Sequence, residues 1–157
     1  MARNRLGTTE VDRIHLSDGD WIEVKRDLNN GDMKRLEEAG LAPPVRLNDG
    51  SITRPIDWSR YEIERAAIFI TDWSFRGPDD KPLPLKSGNG MVMSSALQAI
   101  DTESFDEINA AILRHTIARA AEKKAQREAR EKAQAKAEEV PTPTPLPSTS
   151  DSADAGT

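Results

Sequence analysis

Cysteine is absent from this chain of 157 residues. That removes disulfides, thiolate nucleophiles and cysteine-ligated zinc from consideration. Aromatic residues are scarce, with three Trp, one Tyr and three Phe, so any core must be small and mostly aliphatic. Only two histidines occur, His15 and His115, one on an expected strand and one on a late helix. Nothing of the form HExxH, GxxxxGK[ST], GxGxxG or GxSxG appears, so no zinc-protease, nucleotide or nucleophile-elbow signature is available. Long hydrophobic runs are also missing. None approaches the roughly 20 residues that span a bilayer, and the opening MARNRLGTTE has no apolar signal-peptide segment. The expectation is a cytoplasmic protein without membrane partners. A cationic surplus is lacking too. The net charge of −5 argues against a dedicated nucleic-acid binder and for a soluble acidic surface.

What is present falls into four stretches. Residues 1–10 are small, polar and aperiodic, a flexible arm. Residues 11–118 carry nearly all the large apolar side chains and form the folded part, an α+β, mainly helical domain opening on a β-hairpin. Residues 119–139 form a charged helical extension, and 140–157 a disordered tail rich in Pro, Thr and Ser.

Within the folded part, VDRIHL and WIEVKRDL alternate around SDGD, where Asp18-Gly19 signals a tight turn. Ile22 and Val24 share the buried face, and Trp21, Glu23 and Lys25 take the other. GDMKRLEEAGL predicts a short helix capped by Asn30 or Asp32. Met33 and Leu36 lie on its buried face, and Gly40 is placed for a left-handed C-terminal cap. VRL and SIT around Asn48-Asp49-Gly50 predict a second small hairpin or an ordered loop. WSRYEIERAAIFITDW is a central helix started by Asp57 or Ser59, with Ile63, Ala66, Ala67 and Ile70 on one face and Trp73 near its continuation. RGPDDKPLPLKSGNG has three prolines and three glycines in fifteen residues, which predicts a loop without regular structure. Two helices follow: MVMSSALQAI, then one starting at Asp101, Thr102 or Ser104. Phe105, Ile108, Ile112, Leu113 and Ile117 form the stripe of the latter. Beyond it, EKKAQREAREKAQAKAEE offers only alanine as an apolar residue. Helix propensity is high, but too little area is available for tight coiled-coil pairing. Whether this extension pairs with a second copy, giving a homo-oligomer, is left open.

Catalytic parts are few. Asp72 and Ser74 flank Trp73, but no histidine lies near in sequence to activate Ser74. Asp79-Asp80 reads as a polar turn, since the alternating ligands and closing glutamate of a calcium loop are absent. Lys123, Lys124 and Arg127 are interleaved with glutamates, which fits a solvated helix better than a nucleic-acid contact. The expectation is a non-enzyme with no catalytic, cofactor or metal residues. Trp21 has two readings, an exposed contact anchor or a residue covered by a second layer. The candidate partner-binding or core anchors are Trp21, Trp58, Trp73 and Phe75.

The order of these pieces resembles the small tail assembly chaperones of long-tailed, siphovirus-type bacteriophages. The likeness rests on the early strand DGDWIEVKRDL, a short helix, a central helix ending in the tryptophan–serine pair of ITDWSF, the charged loop GPDDKPLPL, a further helix, and the last helix FDEINAAILRHTIARAAEKK. It covers about residues 16–124. The resemblance implies a non-catalytic protein in the host cytoplasm that binds the tape-measure protein, and in some members the tail-tube subunit, during virion morphogenesis. The alternative from the same features is a structural virion component, such as a minor tail or head–tail joining protein.

Overall fold

The computed structural model describes residues 10–138. The fold is α+β. It divides into two units, Met1–Arg119 and Ala120–Thr157.

The first unit begins with strands β1 (Val11–His15) and β2 (Trp21–Lys25), paired antiparallel with Ile14 opposite Ile22. A single 3-10 turn, Ser17–Gly19, joins them, with both Asp18 and Gly19 at positive φ. The alternation in β2 sends Ile22 and Val24 fully inside, as a half-buried strand requires. Helix α1 (Asn30–Ala39) follows. Its cap is Asn29, one residue earlier than expected: Asn29 accepts the Asp32 amide, and Asp32 reaches back to the Asn29 amide.

Met33 and Leu36 do not face the core. Met33 is 43% exposed, and the buried residues of α1 are Asp32 and Ala39. Asp32 turns inward because it serves the cap and also meets Lys25 Nζ at 2.8 Å, so its burial is compensated. Gly40 is not left-handed either, with φ −88°. It is needed for closeness: a Cβ there would lie 3.1 Å from Tyr61 Cβ.

Strands β3 (Val45–Arg46) and β4 (Ile52–Thr53) form the second small hairpin. Helix α2 (Trp58–Phe69) is capped by Asp57, whose side chain accepts the Arg60 amide at 3.0 Å. It is shorter than the sequence pattern predicts. Ile70–Trp73 is strand β5, which pairs with β2 to give the sheet order β1-β2-β5. Ile70 fits the helical stripe and the strand equally well, since both readings bury it. The β-branched pair Ile70-Thr71 and the open edge of a two-stranded hairpin, marginal by itself, decide for the strand. The register steps between Glu23 and Val24, with Thr71 as the extra residue, and its hydroxyl donates to the Glu23 carbonyl at 3.2 Å.

The segment after β5 is more ordered than its composition implies. Leu83 N–H donates to Phe75 O and Gly77 N–H to Lys81 O; ten residues on, Met93 donates to Leu85 and Ser87 to Met91. The β3–β4 turn has the same inner bonds, Leu47 to Ser51 and Gly50 to Leu47. Each of the three turns places a residue at positive φ (Gly50, Asp80 and Gly90). Prolines that exclude a long strand still permit these tight returns.

Helices α3 (Ser94–Ala99) and α4 (Thr102–Glu138) complete the chain. Within the first unit, α4 buries Ile108, Ala111 and Ile112 against the sheet residues, with Phe105 at the edge. Leu113 and Ile117 are 49% and 62% exposed, against expectation. The inward face continues instead through polar residues. His115 Nε2 lies 2.9 Å from Asp12 Oδ2, and Arg119 Nη2 lies 3.1 Å from Asp27 Oδ2. Burying Ile22, Ile68, Ile70, Leu97, Ile108 and Ile112 contributes about 1.5–3 kcal/mol each to holding sheet and helices together.

In the second unit, Ala120–Glu138 is the helical C-terminal part of α4, and its side chains from 120 to 137 are all exposed. Except for Glu10, whose carbonyl accepts the Arg26 amide at 2.9 Å, the expected arm lies outside the described residues, as do residue 139 and the expected tail.

Candidate functional site

Ser74 has the partners of a structural hydroxyl. Its Oγ donates to Asp20 Oδ1 at 2.7 Å and accepts the Trp21 amide at 2.9 Å, tying the end of β5 to the start of β2. Asp72 is exposed and accepts the Trp73 amide at 2.9 Å. Asp79 and Asp80 sit on an exposed turn, pairing with Lys81 and Arg76. Among the described residues, no group of three or more His, Asp or Glu is placed to hold a metal ion. No helix there is long and apolar enough to cross a membrane. Two carboxyls are held below their ordinary value by hydrogen bonds to the ionised form. Asp49 accepts the hydroxyl and amide of Ser51, and Asp101 accepts the amide and hydroxyl of Ser104. Both are local turn or helix-start contacts.

The four aromatic candidates separate into different environments. Trp73 is 6% exposed, stacks edge-on with Phe75 at 5.1 Å between centroids, and donates its indole N–H to the Leu83 carbonyl at 2.9 Å. Phe75 is buried in the same cluster. These two are core anchors. Trp21 is half-buried, with the Arg13 guanidinium 3.9 Å above its ring and Arg13 in turn paired to Glu23 at 2.6 Å. The cover comes from a cation on the neighbouring strand β1 and not from a second layer, and the residue stays half-buried.

Trp58 differs from all three. It is 65% exposed, the first residue of α2, where no earlier turn of the helix can cover it. Its ring meets Tyr61 edge-on at 5.9 Å. Around it, Met33, Leu36, Leu41, Ile56 and Tyr61 line an apolar groove of about 380 Å³, with Glu37 at its rim. The chain crosses from α1 to α2 beneath this groove through Ala42 N–H to Pro55 O and Asp57 N–H to Gly40 O. Those bonds and the close Gly40–Tyr61 approach fix the two helix ends that carry the apolar walls. Trp58 was a sequence candidate. The spacing of Met33 and Leu36 points them to the core, and nothing in the sequence groups Leu41, Ile56 and Tyr61 with Trp58. Gly40 is the available signal of a special position; its φ of −88° identifies that position as a close approach to Tyr61 and not a left-handed cap.

A second cavity, of about 230 Å³, opens on another side of α1, bounded by Lys25, Arg35, Lys86 and the α2–β5 junction. None of those three cations was singled out in the sequence.

No protein-family model, curated protein or solved structure matches this chain.

Proposed function

We propose that this chain is a non-catalytic tail assembly chaperone of a long-tailed bacteriophage, which binds the tape-measure protein, and tail-tube subunits where they are clients, during morphogenesis in the host cytoplasm. The observation that carries the binding role is the groove around Trp58. Apolar side chains on the surface of a folded domain mark contact sites when they are contiguous, and an exposed tryptophan in such a patch is the residue type that most often dominates binding energy. The groove is bounded by two helix ends, a shape that accepts the apolar stripe of an amphipathic helix. The ordered likeness from DGDWIEVKRDL through ITDWSF to the last helix supports the narrower identification. Ser74, Asp72 and His115 all engage in contacts that explain them structurally, which supports a role without chemistry.

Co-expression with the tape-measure protein of the same genome tests the reading. The expected result is a soluble client that co-elutes with this chain. An insoluble client and no complex would overturn it. Mass spectrometry of purified particles separates chaperone from virion component: trace copies are expected, and stoichiometric copies would replace the chaperone reading with the structural one.

A further inference from the structure

Leu113 and Ile117 are large, apolar and exposed, and they lie four residues apart on helix α4. Single apolar side chains on a surface need no explanation, but these two belong to a longer pattern. Ala110 precedes Leu113 by three residues and Ala120 follows Ile117 by three. Alternating steps of three and four are the spacing of a coiled-coil seam. Continued toward the start of the helix, the same steps fall on Asp106 and Glu103; continued toward its end, they fall on Lys124 and Arg127. All eight positions are exposed. At 100° per residue they share one side of α4, and the buried Ile108, Ala111 and Ile112 take the other.

This seam is apolar in the middle, acidic at one end and basic at the other, and that order decides the partner. A second copy of the helix laid antiparallel, with a twofold axis level with His115, sets Leu113 against the partner's Ile117 and Ala110 against the partner's Ala120. The same register sets Asp106 against the partner's Lys124 and Glu103 against the partner's Arg127. A sequence that matches its own reverse is what a twofold interface needs, because each contact occurs twice. Parallel pairing would instead stack acid on acid and base on base. The contact Lys124 makes within the chain, to Glu128 at 4.0 Å, is an exposed ion pair of little worth and does not compete. The alanine-only extension offers too little area to pair by itself, but Leu113 and Ile117 add a bulky centre. Two such residues per copy make a weak, reversible contact.

We propose that this protein self-associates through the outer face of α4, two copies pairing antiparallel along Glu103 to Arg127. The proposal rests neither on the Trp58 groove nor on the function assigned to it.

Sedimentation velocity of the full chain from about 10 µM to about 1 mM, the range of weak association, tests this. The mass should rise toward that of a dimer. Leu113→Asp and Ile117→Asp should each raise Kd at least tenfold, as for the loss of a central apolar contact, with the circular dichroism of the parent retained. Asp106→Lys and Lys124→Asp should each raise it roughly tenfold, since every dimer contains that pair twice and like charges repel. Asp106→Lys combined with Lys124→Asp should return Kd to within about twofold of the parent, because the swap restores opposite charges; independent structural damage would add instead. A parent that stays monomeric throughout, a dimer indifferent to both Leu113→Asp and Ile117→Asp, or a double charge variant no better than the singles would each overturn the proposal. If the parent is monomeric and Leu113→Asp abolishes co-elution with the tape-measure protein, the seam belongs to the client and the proposal falls.

Discussion

Trp73 and Trp58 bracket the α2–β5 segment, and their surroundings differ in kind. Trp73 is buried, packed against Phe75 and hydrogen-bonded to the Leu83 carbonyl. Trp58 has one aromatic neighbour and an open groove. The same residue type thus holds the fold together at one end of the segment and is left available at the other. Burial separates the two roles: the energy of an aromatic already removed from water is spent on folding, whereas an exposed one retains it for a partner.

The sharpest way to break that comparison is truncation at the buried end. Trp73→Ala should cost about 3–5 kcal/mol, as for large aromatic deletions in cores, and urea unfolding followed by circular dichroism would measure it. A loss below 1 kcal/mol would mean that Trp73 is not the anchor described. A smaller effect is expected one residue on. Ser74→Ala leaves the Trp21 amide and the Asp20 carboxylate without their shared partner and should cost about 1–3 kcal/mol, read in the same unfolding curve.

Weaker still is the start of α4, where pH provides the handle. Hydrogen bonds from the Ser104 amide and hydroxyl hold Asp101 below its ordinary value of 3.8. A carboxyl depressed in the folded state stabilises the fold above its unfolded value and loses that contribution as pH falls through the folded one. Asp101→Ala should therefore lower the Tm at neutral pH, and the difference from the parent should shrink as pH falls below 3.8 and be lost only below the depressed folded value. A pH-independent difference would contradict that origin.

How much of this was legible follows the same division. The hairpin, the Asp57 cap, the Gly50 turn and the buried Ile22, Val24, Ile108 and Ile112 could be read because local pattern and tertiary demand agree there. The sequence misplaced what depends on a partner from elsewhere in the chain. Ile70 satisfies a helical stripe, but the open edge of β2 claims it for a strand. Leu113 and Ile117 look like the continuation of a stripe, yet the inward face passes to His115 and Arg119 because Asp12 and Asp27 are there to meet them. Gly40 announces a special position without saying that Tyr61 is the reason. Of the site, Trp58 could be named. Its groove could not, because Met33 and Leu36 are spaced as core residues and only the packing of α1 through Asp32 and Ala39 turns them outward.

The measurement closest to the central claim is Trp58→Ala, read for stability and for client binding together. Removing an exposed side chain outside the core should leave unfolding within about 0.5 kcal/mol of the parent, while co-elution with the tape-measure protein is lost or reduced at least tenfold, as for the loss of a dominant contact. Full retention of the complex by a well-folded Trp58→Ala chain would contradict the account and move the binding surface elsewhere.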